Sequence, residues 1–302
     1  APLGDRTRAL VKIQTGCDHG CSYCVVPAAR GAPRSVPPER VVELAGRLAA
    51  EGAPEIVLTG VQLGAYGADL DGAPTLAGIL PRVAEAVAPA RVRLSSIEPW
   101  SVTEALIRVL AEHDRVCPHL HVPLQSGDDR VLVAMGRGTR AAQVIELAAR
   151  ARERVPALAF GTDVLLGFPA EDGAAFAATL AALERIAPAS VHAFPFSPRP
   201  GTRAASLPAG PGREVARDRV RAVRERAREW TAAFRRALVG TVREVAVESR
   251  RGAVALGVTD NAVPVSLPAS KVRVGELVLA RLECGGETDR MAAVPIAKEL
   301  DS

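Results

Sequence analysis

The sequence predicts an α/β fold, a partial (β/α)6 parallel barrel followed by a small all-β barrel. Three observations carry this. Short β-branched runs alternate six times with amphipathic segments up to Arg236, as in a parallel sheet wrapped by helices. A length of 302 residues suits one large domain of that kind with a small appendage. Past Arg236 the pattern changes to short alternating runs separated by turn residues.

The expected strands are 9–14, 55–59, 91–95, 119–124, 158–166 and 190–196. The expected helices are 38–51, 76–87, 103–112, 141–154 and 174–186, followed by a basic helix over 213–236. In that last helix Val215, Val220, Val223, Ala227, Trp230 and Phe234 recur at helical spacing and are expected to pack inward. Nine arginines against four acids give it a net charge of +5, out of +4 for the whole chain. Such a face is either a solvated, ion-paired surface or a phosphate-binding one, with Arg217, Arg221, Arg224 and Arg228 as the candidate RNA contacts.

Beyond it, turn signals at Arg251-Gly252, Asp260-Asn261, Val274-Gly275 and Gly285-Gly286 divide 242–294 into strands of a small barrel. The domains are expected at 1–237 and 238–302, and the second, with eight basic and nine acidic residues, is no strong magnet for RNA by itself.

At 48% hydrophobic and 24% charged, the chain buries a sizeable core and is no disordered scaffold. No apolar run reaches the roughly 18 residues of a spanning helix, and Asp5, Arg6 and Arg8 interrupt the start, so neither a membrane span nor a secretory signal is expected. Three of the five cysteines crowd into eight residues, unlike a secreted disulfide framework, which points to a reducing, cytoplasmic setting. The chain opens at Ala1 without a methionine, and a longer parent is expected.

The strongest signal is Cys17-Asp18-His19-Gly20-Cys21-Ser22-Tyr23-Cys24, a C-x3-C-x2-C spacing directly after the first strand. Three thiolates so placed can hold three corners of a [4Fe–4S] cube and leave one iron open for substrate. The alternative is zinc, which takes four tetrahedral ligands, yet the nearest fourth donor, His19, lies inside the loop itself. That alternative makes the chain a non-catalytic RNA-binding protein with a zinc knuckle.

With Tyr23 just before the third cysteine, the loop resembles the radical S-adenosylmethionine superfamily. Further segments sharpen the likeness: Glu55-Ile56-Val57-Leu58-Thr59-Gly60, Ser95-Ser96-Ile97-Glu98-Pro99, His119-Leu120-His121-Val122-Pro123-Leu124-Gln125-Ser126-Gly127, Thr162-Asp163-Val164 with Gly167-Phe168-Pro169, and Ser197-Pro198-Arg199-Pro200-Gly201-Thr202. Together they resemble the methylthiotransferases over most of the first 236 residues, and the terminal barrel resembles the RNA-binding TRAM barrel of those proteins. Leu58-Thr59-Gly60 and Ser95-Ser96-Ile97-Glu98-Pro99 look most like the branch acting on N6-threonylcarbamoyladenosine at tRNA position 37. The other branches act on isopentenyladenosine or on a ribosomal-protein aspartate.

The resemblance implies that Cys17, Cys21 and Cys24 bind one [4Fe–4S] cluster, whose open iron chelates S-adenosylmethionine for reductive cleavage. It also implies cofactor contacts at Thr59 and Gly60 (methionine amino group), at Ser96, Glu98, Gln125 and Asp163 (ribose or carboxylate), and at Tyr23 and Val164 (adenine). The implied partners are a tRNA anticodon stem-loop and an electron donor such as flavodoxin or ferredoxin. Family members carry a preceding domain with three more cysteines for a second [4Fe–4S] cluster. Here only Cys117 and Cys284 remain, so the chain by itself is expected to cleave S-adenosylmethionine without completing methylthiolation.

Smaller signals have plainer readings. His119 and His121 share a face of one strand and are expected to be packed or hydrogen-bonded barrel histidines lacking a carboxylate partner. Cys117 and Cys284 are expected to be small buried apolar residues. No Gly-x-x-x-x-Gly-Lys run supports nucleotide hydrolysis.

Overall fold

The computed structural model describes residues 7–285 and 289–296. It begins with β1 (Arg8–Thr15), α1 (Val26–Arg30), the short β2 (Arg34–Ser35), α2 (Pro38–Ala50), β3 (Glu55–Gly60), α3 (Leu76–Ala86), β4 (Arg91–Leu94) and α4 (Glu104–Glu112). The second half of the partial barrel holds β5 (His119–His121), α5 (Asp129–Ala134), α6 (Ala141–Arg154), β6 (Ala159–Leu166), α7 (Gly173–Ile186), β7 (Ser190–Pro195) and α8 (Arg213–Ala237). Then come β8 (Val242–Arg251), β9 (Val254–Thr259), β10 (Pro264–Pro268), β11 (Leu277–Glu283) and β12 (Met291–Pro295).

The six parallel strands run β1-β3-β4 and β5-β6-β7, with β2 added antiparallel on β1. Regular pairing breaks between β4 and β5, where the chain is stitched by Cys117 N–H to the Val92 carbonyl (2.8 Å) and Ile97 N–H to that of His121 (2.9 Å). β5 is shorter than expected for a plain reason. Pro123 has no N–H to donate, and Gln125 sits at φ +66°, off the extended path.

Strand alternation separates two layers. Val11, Ile13, Ile56, Leu58, Val92, Leu94, Leu120, Phe160, Val164 and Ala193 pack outward under the helices as one core. Their neighbours Leu10, Lys12, Val57, Thr59, Asp163, His192 and Phe194 face the concave lumen.

The inward stripe of α8 is as expected at Val220, Val223 and Trp230, but two of its residues are not where the spacing put them. Val215 is 40% exposed and Ala216 is buried in its place. Arg219 is not solvent-facing but buried, donating to the Glu171 side chain and, at 3.0 Å, to its carbonyl.

β8–β12 close into a five-stranded barrel in the order β10-β12-β11-β8-β9. Of its predicted turns, Gly252 and Gly275 have positive φ, as tight turns require, and Gly286 lies outside the described residues. Among the described residues no helix is long and apolar enough to cross a membrane. Cys117 is buried as expected; Cys284 is exposed, because it lies just past the end of β11.

Candidate active site

The cysteine loop leaves β1 at the strand's C-terminal end, where parallel α/β barrels place their chemistry. It turns at Gly16, with φ +77° and so little room that an added Cβ lies 1.9 Å from the Ala32 carbonyl oxygen. Cys17 N–H then donates to the Gly31 carbonyl at 3.0 Å. Gln14, 1% exposed, braces the turn from beneath. Its Nε2 donates to the carbonyls of Thr15 and Gly16, each at 2.9 Å, while its Oε1 accepts the Gln62 N–H at 2.8 Å.

The far side of the loop is held by α5 and by the turn Arg203–Ser206. Ser22 N–H donates to the Met135 carbonyl and Ser22 Oγ to that of Ala134, both at 2.8 Å. Ala204 N–H donates to the Ser22 carbonyl at 2.8 Å, and Arg203 to that of Gly20.

Each sulfur has a nitrogen donor near it. His19 N–H points at Cys17 Sγ and Val26 N–H at Cys24 Sγ, both at 3.4 Å, and Arg137 Nη1 lies 3.8 Å from Cys21 Sγ. Burial pushes the Cys17 and Cys21 thiols above the usual cysteine value, with Arg137 pulling Cys21 the other way. Arg137 also pairs with Glu98 and lies 5.0 Å from the ring of Trp100, on which His19 stacks at 4.2 Å.

Sequence reasoning passed over Arg137 and Trp100. Nothing separates Arg137 from the other arginines in the sequence, but Trp100, one of two tryptophans and beside Glu98-Pro99, was a usable signal.

Thr59 and Gly60 end β3 half-buried beside Gln14, and Ser96 lies exposed in the loop after β4. Tyr23 packs against the cluster of Val131, Met135, Phe168, Ala175 and Ala204, and burial raises its hydroxyl above the usual tyrosine range. Gln125 is paired through its backbone, its N–H donating to the Asp163 carbonyl at 2.8 Å and its carbonyl accepting from Leu165 at 2.9 Å.

Val164 is a correction. It is 0% exposed and part of the helix-covered core, because adjacent strand residues face opposite sides and Asp163 takes the lumen side. Its side chain cannot flank a bound adenine.

The histidine expectation is also corrected, since His121 does have a carboxylate partner. Asp163 Oδ1 lies 2.8 Å from His121 Nε2 and 3.0 Å from His192 Nδ1. Burial alone raises the Asp163 carboxyl, but the two imidazole hydrogen bonds overcome it and hold the group at about 2. An ionised carboxylate only accepts, so both imidazoles donate to it. These are also, among the described residues, the one trio of His, Cys, Asp or Glu ligand atoms within 4.8 Å of one another. His119 is different: burial pushes it down to about 3, and its Nδ1 has no partner.

Arg217, Arg221, Arg224 and Arg228 come together on one side of α8, lining a groove of about 520 Å³ beside Pro195. Arg221 pairs with Asp218 at 2.8 Å and Arg224 donates to the Ala193 carbonyl at 3.2 Å. Among the described residues Arg217 and Arg228 have no carboxylate partner.

Comparison with known proteins matches the site. The radical SAM superfamily profile covers residues 11–183. Threonylcarbamoyladenosine tRNA methylthiotransferase from Rickettsia prowazekii is 34% identical over 92% of this chain and 65% of its own length. Its counterpart from Thermotoga maritima is 37% identical over 81% and 56%. tRNA-2-methylthio-N(6)-dimethylallyladenosine synthase from Citrifermentans bemidjiense is 37% identical over 79% and 54%. The chain thus spans somewhat over half the length of these relatives, and the methylthiotransferase likeness of its motifs is repeated in their names.

Among solved structures, coproporphyrinogen III oxidase from Escherichia coli aligns over 94% of this chain and 68% of its own, with a TM-score of 0.55 at 12% identity. A radical S-adenosylmethionine methyltransferase from Kitasatospora setae aligns over 65% and 38%, with a TM-score of 0.54 at 17% identity. At such identities these support the fold alone. With the profile match over the cysteine loop and the strands around it, the chain belongs to the radical SAM superfamily.

Proposed function

We propose that this chain is the core of a tRNA methylthiotransferase acting on N6-threonylcarbamoyladenosine, with one [4Fe–4S] cluster on Cys17, Cys21 and Cys24. The observation that carries the reading is the braced cysteine loop, whose three sulfurs all face nitrogen donors at the open end of the strands. The donor set fits a cluster. Three cysteine sulfurs from one eight-residue loop, each with a nitrogen donor near it, hold three irons of a cube and leave the fourth open, whereas structural zinc takes four protein ligands. Donors to cluster sulfurs are the usual means of tuning such a site.

When bound, the cluster with S-adenosylmethionine supplies one-electron chemistry. The chain's own residues do the rest. Gln14 and Gly16 fix the loop, and Arg137, held by Glu98, sets positive charge against Cys21. Thr59, Gly60, Ser96 and Gln125 border the cofactor side of the lumen, with Tyr23 behind the loop. The boundary between the two domains falls at the end of α8, and the exposed arginines of α8 meet the phosphates of the anticodon stem-loop. A flavodoxin or ferredoxin supplies the electron, and a second cluster belongs to the longer protein.

The threonylcarbamoyl branch is favoured by the motifs that end β3 and follow β4 and by alignment of one such enzyme over 92% of the chain. The dimethylallyl branch, one of whose members aligns over 83% of the chain at 38% identity, is the second reading.

The test is 5′-deoxyadenosine release from S-adenosylmethionine by the anaerobically reconstituted, reduced chain, together with its binding of modified anticodon stem-loops. Release that disappears in Cys21→Ala, and tighter binding of threonylcarbamoyl RNA than of unmodified RNA, are expected. No release, or equal binding of all RNAs, overturns the reading.

A further inference from the structure

We propose that His192 selects the acidic nucleoside, its unshared Nε2–H donating to the threonylcarbamoyl carboxylate while the base lies against Phe194. The inference rests on the substrate reading above and names the contact that discriminates within it.

β7 carries the argument. Val191 and Ala193 pack with the core under the helices, so Ser190, His192 and Phe194 are turned to the lumen. The His192 side chain is 59% exposed and Phe194 is 51% exposed, whereas the His121 side chain beside them is only 9% exposed. A large bare aromatic face next to an exposed imidazole is what a planar base with a polar tail requires.

The His192 ring is fixed in place. It stacks on His121 with centroids 5.0 Å apart and meets Phe194 edge-on at 6.2 Å. Nδ1 donates to Asp163 at 3.0 Å, which leaves Nε2 as the nitrogen free to meet a ligand. In the neutral ring Nε2 then carries a lone pair and only accepts; it gains an N–H, and becomes a charge-assisted donor, when the ring is protonated, the form that the Asp163 hydrogen bond favours against partial burial.

Asp163 Oδ1 accepts from both imidazoles, and a protonated His192 balances its charge beside the incoming carboxylate. On β1, across the lumen, Lys12 is exposed and has no carboxylate partner among the described residues, a positive charge that favours an incoming anion against the ionised Asp163.

The chemistry of the two tRNA substrates then decides the role. A threonylcarbamoyl group brings a free carboxylate to the adenine N6, and a dimethylallyl group brings only hydrocarbon. Sites built to hydrogen-bond a substrate group reject analogues lacking it far more strongly than apolar pockets reject a missing methylene.

The experiment measures affinity of the reconstituted whole chain for three anticodon stem-loops, carrying threonylcarbamoyladenosine, its methyl ester, or dimethylallyladenosine. The readout is the ratio of acid to ester affinity, because a general loss of fold or of RNA binding lowers both alike. Wild type is expected to favour the acid about tenfold, the scale of one hydrogen bond to a charged group. His192→Phe keeps the stacked ring and is expected to bring the ratio to about one, and His192→Gln, which keeps a donor, to restore part of it. An unchanged ratio in His192→Phe overturns the role of His192 while leaving the substrate reading intact. Wild-type preference for the dimethylallyl RNA over the acid overturns the substrate reading itself.

Discussion

The two ends of the lumen are built from the same alternating strands and yet have opposite chemistry. At the base, Glu55, 0% exposed, accepts from Arg91 Nε and Arg93 Nε and Nη2, all at 2.7 Å. Arg91 and Arg93 reach on to the carbonyls of Glu244, Val258 and Thr259 in the small barrel, at 2.7, 3.0 and 3.0 Å. Every guanidinium nitrogen of the pair has a partner except Arg93 Nη1.

At the mouth the thiols, His192 Nε2 and Phe194 have room left. Buried charge matched almost entirely within the chain is a seam joining two parts of the fold. Charge and apolar surface left half-matched at an open end is where a ligand completes the set.

That contrast can be broken at its strongest point first. Cys21→Ala is expected to abolish cluster assembly and 5′-deoxyadenosine release while leaving the far-ultraviolet circular dichroism unchanged, because the loop is braced by Gln14, Ser22 and Gly16 rather than by its sulfurs. Loss of folded signal would show that the cysteines serve the seam's kind of role.

Next in size is Glu55→Gln, which leaves two buried guanidiniums short of a counter-charge and is expected to cost about 3–5 kcal/mol in urea unfolding. Its pH dependence follows from the sign of the shift. Burial raises the Glu55 carboxyl, but the Arg93 hydrogen bond and the charges of Arg93, Arg91 and Arg8 outweigh it, taking the group from 4.5 to about 2. The stability it contributes is therefore full above its ordinary value and lost as pH falls toward about 2. Thermal midpoints measured across that window should fall more steeply for wild type than for Glu55→Gln. Parallel curves would remove Glu55 from the account.

A smaller effect is expected on α8. Changing Arg217, Arg221, Arg224 and Arg228 to Gln should weaken stem-loop binding whatever the modified base, and lower the salt slope by about 0.7 to 0.9 for each phosphate no longer neutralised. An unchanged slope would leave these arginines as a solvated face. Smallest of all is Arg226→Ala. Arg226 pairs with Glu184 and Glu229, both at 2.7 Å, but lies exposed, so the thermal midpoint should stay at the wild-type value, and a clear drop would show that these surface pairs matter to the fold.

Much of this was legible in the sequence, because period and turn chemistry are local. The six strands, their helices and the basic helix lie within a few residues of their expected places, and the cysteine loop is contiguous. β2, α1 and α5 are too short to leave a periodic signal. What depends on register was not legible. His121 meets Asp163, and Asp163 meets His192, only because β6 pairs Gly161 with His121 and Asp163 with His192, and no single strand contains that fact. The Glu55 seam likewise needs β3, β4 and the distant barrel at once. Val164 is the opposite case, since alternation along β6 already excludes it once Asp163 is set toward the lumen.

The most direct test of the open end is the iron, acid-labile sulfide and zinc content of the chain after anaerobic reconstitution. About four irons and four sulfides per chain, falling to background in Cys21→Ala, is the expected result. About one zinc and no stable iron would contradict it, and would make the mouth, like the base, a structural joint.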